Sequence, residues 1–379
     1  MRRTLAAMAS ATGAPPGAAA SIFAPLTFTR GPAWKHRLAL APLTNHQSNP
    51  DGTLSEDEFT WLTKRAHGGF ALTMTCAAHV QACGQGFPGQ LGAFGEQHAA
   101  GLARLAAAIR AHGGASSVQL HHAGCRSPRE LVPAPVGPSD APELGARALS
   151  GAEVRQVVAD FVAAAVRCER AGFDGVEIHG AHGYLLAQFL SPEANGRRDE
   201  YGGSAAARAR VLHEVVAGVR AACRPDFQLG LRLSPERFGV RLGEMLELAQ
   251  ALLDGGQLDY LDVSLWDVAK APEEEPYKSS GRSLLSYFTA LRRGATRLGV
   301  AGKVRTPADA AAALAAGADF VLLGRAAIIH HDFPRLAAAD AEWQPMQPPV
   351  TRAHLAREGL GPAFIDYMAG ARWGGFVAE

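Results

Sequence analysis

The chain has little of what marks several large classes of protein. Its 379 residues include only five cysteines and no C-x-x-C pair, so neither a disulfide framework nor a cysteine-bound metal cluster is indicated. The 37 basic and 36 acidic residues give a net charge of +1, and no run of like charges suits nucleic acid or an anionic membrane. No uninterrupted apolar stretch reaches the roughly 18 residues that span a bilayer. We therefore expect a cytoplasmic protein whose partners are small molecules.

The first twenty residues contain two arginines, many small residues and a Pro15-Pro16 pair. This order weakly imitates a secretory signal, but its apolar segment is broken by small residues and proline. We expect residues 1–20 to form a disordered tail rather than an export signal.

Short apolar runs alternate with helical patterns along the rest of the chain. Eight runs do not alternate polar with apolar residues, as is typical of parallel strands buried on both faces. These runs are Leu38–Thr44, Phe70–Ala77, Ser117–His121, Gly175–His179, Gln228–Ser234, Tyr260–Ser264, Leu298–Gly302 and Phe320–Gly324. The helical segments are Ser55–Ala66, Gln97–Ala111, Ala152–Ala171, Ala205–Cys223, Leu242–Leu253, Leu284–Arg293, Pro307–Ala316 and Ala326–Leu336. Eight successive βα units predict an α/β fold, a TIM (β/α)8 barrel.

We expect the barrel to occupy residues 21–340, with two additions. Residues 124–150 are rich in proline and too long for an ordinary βα loop, so they are predicted to form a capping insertion over the top of the barrel. Residues 341–379 begin with a proline-rich linker and end in aromatic residues. This C-terminal extension is expected to pack on the barrel or on a second copy of the chain, which leaves a homo-oligomer open.

The most informative stretch, His179-Gly-Ala-His-Gly-Tyr184, follows the apolar run from Phe173 to Ile178. Two imidazole N–H groups can converge on one oxygen atom, and the phenol of Tyr184 can offer a proton to a neighbouring carbon. Reacting groups of such barrels lie where the strands end, and His179, His182 and Tyr184 follow a strand directly. The sequence therefore predicts three catalytic residues that polarise and protonate a carbonyl compound.

A His-x-x-His pair also occurs in metal sites, and single histidines or tyrosines are often structural. A zinc site would need a third ligand and orienting groups, and no Glu neighbours this pair as in H-E-x-x-H. The position at the end of a strand favours catalysis over both alternatives, so no metal is expected.

The same block continues through Asn195-Gly-Arg-Arg-Asp-Glu-Tyr-Gly-Gly-Ser204 and closely resembles the signature of the Old Yellow Enzyme family of flavin-dependent ene-reductases. The resemblance extends from about Phe23 to about Pro334. It implies a bound FMN beneath the two histidines and the tyrosine, with Tyr184 delivering a proton to the α-carbon of the substrate.

The resemblance also implies cofactor-binding residues at the strand ends. Thr44 corresponds to the residue that bonds the flavin O4 edge, a position where many bacterial relatives have Cys. The resemblance also places Ala77 beside the ring system, the amide of Gln119 at the pyrimidine edge and the cation of Arg232 near N1 and O2. A cation there can stabilise the anionic reduced flavin. The set comprises Pro42, Leu43, Thr44, Ala77, Gln119 and Arg232. Arg232 is also hard to explain as a residue of the hydrophobic core, because burying an unpaired charge costs free energy.

For the phosphate group, Gly302-Lys303 and Gly324-Arg325 resemble the family site, which follows the seventh and eighth strands. A solvent-exposed lysine is the alternative for Lys303 taken alone. The segment Gly84-Gln-Gly-Phe-Pro-Gly89 fits a dinucleotide motif, but Pro88 and the absence of a following helix make it a loop.

The chain departs from the family pattern at two places that bear on the substrate. An arginine is displaced by one residue in Gln119-Leu-His-His-Ala-Gly-Cys125-Arg126, and the bulky pair Trp266-Asp267 follows the sixth strand.

The resemblance implies an FMN-dependent ene-reductase in which NADPH or NADH reduces the flavin and an α,β-unsaturated carbonyl compound then accepts hydride from flavin N5. A flavin-binding sensor or partner barrel without efficient turnover is the alternative from another class. A third hypothesis, reduction of uridine in tRNA, would require a basic surface, against which the balanced charge argues.

Overall fold

The computed structural model of the protein describes residues 22–378. Eight parallel strands close into a barrel in which neighbours around the barrel are also neighbours along the chain. The strands are β1 (Leu38–Leu40), β2 (Leu72–His79), β3 (Ala115–His121), β4 (Gly175–Gly180), β5 (Gln228–Leu233), β6 (Tyr260–Ser264), β7 (Arg297–Ala301) and β8 (Phe320–Leu323). The TIM barrel predicted from the eight apolar runs is confirmed.

Helices lie between successive strands, and four more follow the last strand. They are α1 (Glu56–His67), α2 (Ala99–Ala111), α3 (Gly151–Arg170), α4 (Leu185–Leu190), α5 (Ala205–Ala222), α6 (Leu242–Asp254), α7 (Leu284–Thr289), α8 (Pro307–Ala315), α9 (Arg325–Ile329), α10 (Phe333–Ala339), α11 (Arg352–Arg357) and α12 (Pro362–Ala369). Several begin at side-chain caps that satisfy free backbone N–H groups, such as Ser55 for α1 and Ser150 with Glu153 for α3.

Two helix predictions were wrong in extent. The segment predicted as one helix, Ala326–Leu336, forms α9 and α10, because His330 is extended and Pro334 lies in the first turn of a new helix. Proline is tolerated there, where its missing N–H has no partner to lose. The helix predicted to end at Arg293 ends at Thr289.

An N-terminal hairpin closes the amino end of the barrel. Leu26 and Trp34 form an antiparallel bridge, and the Trp34 ring packs against Phe320 and Tyr260 at centroid distances of 4.8 and 5.7 Å. Phe320 and Tyr260 begin β8 and β6. Since aromatic side chains fill this end, the carboxyl ends of the strands are left for a site.

Residues 124–150 are ordered around a pair of two-residue parallel strands, Val136–Gly137 and Arg147–Ala148. The Arg197 guanidinium joins this segment to the chain after α4 by donating to the carbonyl oxygens of Pro138, at 2.9 Å, and Leu149.

The C-terminal residues pack on the barrel. Phe364 meets Trp61 of α1 edge to face, with 4.9 Å between ring centroids, and Tyr367 stacks on His46 at 4.3 Å. The tail predicted for residues 1–20 lies outside the described part of the chain. Within residues 22–378, no helix has both the length and the apolar character needed to cross a membrane.

Candidate active site

The carboxyl ends of β1 to β5 and the loops after them bring nine side chains to one cleft. These are Pro42, Thr44, Ala77, Phe87, Gln119, His179, His182, Tyr184 and Arg232. Eight of the nine were predicted from the sequence. The exception is Phe87, which belongs to the loop that resembles a dinucleotide motif and had no signal of its own.

The two histidines and Tyr184 reach the cleft through a tight turn after β4. His182 and Gly183 both have left-handed backbones, with φ of 60° and 69°, which reverses the chain direction within two residues. The Ser234 hydroxyl accepts a 2.9 Å hydrogen bond from the His182 backbone N–H and thus holds the turn against β5. As a result the ring of His179 lies 5.1 Å from that of His182 and 5.4 Å from that of Tyr184, between centroids.

Both histidines are neutral at physiological pH. Burial first, and then the positive charges of Arg232 and Arg126, lower the pKa of His182 to about 3. Burial and the neighbouring His182 hold the pKa of His179 well below its usual value. A neutral imidazole carries one N–H, so each histidine offers a single donor. Ser264 lies 2.8 Å from His182 Nε2 and fixes the orientation of that ring.

Arg126, the residue displaced by one position from the family pattern, lies beside this group. Its guanidinium carbon is 4.7 Å from the centre of the Tyr184 ring, and it donates to the backbone carbonyl of His182. The arginine therefore fastens the turn and covers one face of the phenol.

Gln119 and Arg232 both have acidic partners inside the barrel. Gln119 Nε2 donates to Glu177 Oε1 at 2.7 Å, which leaves the amide oxygen of Gln119 for the cleft. Arg232 Nε lies 2.9 Å from Asp262 Oδ2, and both side chains are buried. Sequence reasoning missed Glu177 and Asp262, although each stands in an apolar strand where a buried charge needs a partner.

A second cleft opens at the ends of β7 and β8. Its lining is Arg305, Arg325, Ala326, Ile329, Met346, Gln347, Pro348, Trp373, Gly374 and Phe376. Burial lowers the pKa of Arg325, and electrostatic repulsion from the nearby guanidinium of Arg305 lowers it as well. Two such cations suit an anion such as a phosphate ester.

The structure brings the predicted phosphate residues together only in part. The ammonium of Lys303 lies 3.0 Å from Asp267 Oδ2 and is not in the lining of the second cleft. Arg305, two residues further along the same loop, is in the lining but was not predicted. Gly302 is closely packed, since a Cβ there would lie 2.8 Å from the Asp267 nitrogen, and Gly324 adjoins Leu43.

Comparison with known proteins identifies the family of this chain. The model of the NADH:flavin oxidoreductase / NADH oxidase family matches residues 21–343. The chain belongs to this family. The Old Yellow Enzyme resemblance is thereby confirmed, as is the expectation of a flavin-dependent oxidoreductase that uses NADH or NADPH.

Similar proteins include a named flavin oxidoreductase and two enzymes of known structure. The probable NADH-dependent flavin oxidoreductase YqiG of Bacillus subtilis is 38% identical over 321 residues, which are 81% of this chain and 85% of that protein. Morphinone reductase in complex with tetrahydroNAD superposes with a TM-score of 0.76 at 28% identity, covering 92% of this chain and 97% of that one. The old yellow enzyme homologue from Zymomonas mobilis gives a TM-score of 0.76 at 26% identity, covering 92% and 99%.

Some family members are much longer than this chain. The chain spans 36% of the NADH:fumarate oxidoreductase of Klebsiella pneumoniae, to which it is 35% identical over 339 residues. It spans 52% of the 2-naphthoyl-CoA reductase chain, with a TM-score of 0.76 at 25% identity.

Proposed function

We propose that the protein is an FMN-dependent ene-reductase that reduces the activated C=C bond of α,β-unsaturated carbonyl compounds with hydride from NADPH or NADH. The observation that carries this proposal is the grouping of two neutral imidazoles and a phenol at the cleft beside Arg232 and Gln119. The alternative, a flavin-binding sensor without efficient turnover, has no use for a proton donor beside two oxygen-binding groups.

The residues present fit FMN. The cavity-facing amide oxygen of Gln119 matches a ring N–H donor, and the buried Arg232 matches the electron-rich N1 and O2 edge. The ring system would be held by Pro42, Leu43, Thr44, Ala77, Gln119 and Arg232. The phosphate would be held by Gly302, Lys303, Gly324 and Arg325, to which we add Arg305. When bound, FMN supplies a two-electron carrier that takes hydride from the nicotinamide and gives it to the substrate.

The histidines bind the carbonyl oxygen of the substrate. His179 and His182 each donate one N–H to this oxygen, where negative charge develops as the β-carbon accepts hydride. For His182 the donor is Nδ1–H, since Nε2 then accepts from the Ser264 hydroxyl. Their neutrality suits this role, since a neutral imidazole donates a hydrogen bond without transferring its proton to the oxygen. One such donor typically accelerates a reaction by about 10²–10³.

Tyr184 completes the reaction as the acid. Its O–H bond breaks while a C–H bond forms at the α-carbon, and the phenol oxygen keeps the electron pair until water returns a proton. The Arg126 guanidinium over the ring stabilises the charge left on the phenol oxygen.

Substrate and nicotinamide donor would use the same cleft in turn, because the reacting groups face one opening. This order corresponds to ping-pong kinetics. We also assign the enzyme to the cytoplasm, since all five cysteines are free, as in a reducing compartment.

The test is an anaerobic half-reaction series on the purified, FMN-loaded protein. NADPH or NADH should bleach the flavin, and enones, maleimides, nitroalkenes or enoates should restore its colour with formation of the saturated product. Bleaching without reoxidation by any of these compounds would favour the sensor. A protein that cannot take up FMN would refute both.

A further inference from the structure

Two carboxyl groups and one guanidinium are enclosed in the barrel interior next to the proposed cofactor site. Glu177 on β4 and Asp262 on β6 are 0% exposed, and Arg232 on the strand between them is 5% exposed. Arg232 is in register with His179 on one side and with Asp262 on the other. Glu177 shares the inward face of β4 with His179, because alternate residues of a strand point the same way. The proposed reaction gives Glu177 no role.

The two carboxyl groups have unequal partners. Asp262 has the charge of the Arg232 guanidinium, 2.9 Å from Nε to Oδ2, although neither of its oxygens has a hydrogen bond of good geometry among the described residues. Glu177 has only the neutral amide of Gln119, which donates to Oε1 at 2.7 Å, and its Oε2 has no hydrogen-bond partner among the described residues. The other ionisable group that faces Glu177 is the phenol of Tyr260, which is itself 1% exposed.

One cation cannot balance two carboxylates in a space closed to water. A second negative charge there would be desolvated and would face the charge of Asp262, and both effects favour the protonated form. Accordingly, burial first and Asp262 second raise the pKa of Glu177 to about 8, although Arg232 opposes this shift. Burial also raises the pKa of Asp262, but its contact with Arg232 opposes that shift directly.

We propose that Glu177 is a positioning residue that holds a proton in the folded enzyme at neutral pH and so leaves Asp262 as the sole counter-ion of Arg232. The interior then contains one positive and one negative charge, and Arg232 keeps its remaining N–H groups for the flavin edge. When Glu177 loses its proton at higher pH, an extra negative charge beside Arg232 opposes formation of anionic reduced flavin. This consequence rests on the proposed FMN site, whereas the protonation itself does not.

Infrared spectroscopy of the wild-type protein as purified tests the protonation. A spectrum at pH 6 minus one at pH 10 should contain the C=O band of a buried carboxylic acid. Carbon-13 labelling of glutamate carboxyl groups should move this band, and labelling of aspartate should not. Glu58 is the other fully buried glutamate whose pKa burial raises, so the band should persist in Glu58→Gln. The opposite labelling result would assign the proton to Asp262, and absence of any label-sensitive C=O band at pH 6 would show both groups ionised. Either result overturns the proposal.

The reduction potential of the bound flavin tests the consequence. A proton taken up with two electrons adds about 30 mV per pH unit to the slope of potential against pH, since a tenfold change in equilibrium constant is 29.6 mV for such a couple. We expect wild type to have a steeper slope than Glu177→Gln across the range in which Glu177 titrates. Equal slopes would show that the charge on Glu177 is not felt by the flavin.

These measurements separate the inference from the proposed function. An enzyme that reduces enones but lacks the band refutes the proton on Glu177 alone. A protein that has the band but reduces no enone refutes the proposed reaction alone. The labelled measurement on wild type and on Glu58→Gln does not require the Glu177→Gln protein, so a Glu177→Gln protein that fails to fold does not prevent a decision.

Discussion

The imidazole rings of His179 and His182 meet at an interplanar angle of 77°, with 5.1 Å between their centroids. Rings so inclined can direct one N–H each to a shared oxygen from different sides, as the proposed function requires. The left-handed backbone at His182, with φ of 60°, forms part of the tight turn that brings the second ring beside the first.

His179→Ala should slow reoxidation of the reduced flavin by an enone about 10²- to 10³-fold, because one donor to the developing oxyanion is lost. It should also weaken the binding of phenolate ligands, because a phenolate oxygen would accept the same N–H groups. Stopped-flow spectroscopy and phenol titration measure both effects. His112→Ala, at the carboxyl end of α2, is the matched control and should change neither. Wild-type reoxidation and phenol binding in both His179→Ala and His182→Ala would contradict the paired-imidazole mechanism.

Tyr184→Phe should separate the two half-reactions. Flavin reduction by NADPH or NADH should stay close to normal, whereas reoxidation by an enone should slow by about 10²–10⁴ unless water supplies the proton. The control is Tyr201→Phe, whose hydroxyl bonds Glu214 on α5 rather than facing the cleft. Equal slowing of both half-reactions would point to a structural role for Tyr184.

Arg232→Ala should lose flavin or lower its reduction potential, because the negative charge of reduced flavin near N1 would lack a cation and Asp262 would be left unpaired. Flavin content after purification and a redox titration with a reference dye measure these effects. Unchanged flavin content and an unchanged potential would remove Arg232 from the site.

Arg305→Ala and Arg325→Ala should each weaken FMN binding roughly 10- to 100-fold, which corresponds to the 1.5–3 kcal/mol of a hydrogen bond to a charged group. Riboflavin, which lacks the phosphate, should bind these variants as well as it binds wild type. Lys303→Ala is the comparison, because Lys303 is paired with Asp267 in the structure and should matter less. Titration of the flavin-free proteins with FMN and with riboflavin measures these affinities and ranks the three variants. A larger loss for Lys303→Ala than for Arg305→Ala would restore Lys303 as the main phosphate cation.

Glu177 should make the stability of the protein depend on pH. Its folded-state pKa is raised from 4.5 to about 8, so the folded protein holds a proton that the unfolded chain lacks between these values. The contribution of Glu177 to the free energy of unfolding is fully present below its pKa in the unfolded chain. It is lost as pH rises through its pKa in the folded protein, at up to about 1.4 kcal/mol per pH unit. Urea unfolding at several pH values should show this decline in wild type and a smaller one in Glu177→Gln. If the free energy of unfolding depends on pH equally in the two proteins, Glu177 does not cause the decline.

Much of the fold and the centre of the site could be predicted because their signals are local. Strands buried on both faces produce apolar runs, and the helices between them produce a 3.6-residue period, so the (β/α)8 order is visible without any long-range information. His179, His182 and Tyr184 lie within six residues at the end of one strand, and a strand end in this fold faces the site.

Only the tertiary structure decided which distant charges meet. Lys303 and Arg305 lie in one loop, but the left-handed backbone at Lys303 directs its side chain to Asp267 while Arg305 joins Arg325 at the second cleft. Glu177 and Asp262 are 85 residues apart and meet at Arg232 because β5 lies between β4 and β6. Side-chain direction and burial depend on packing between separate elements, so sequence spacing fixes the scaffold of this site but not its charge balance.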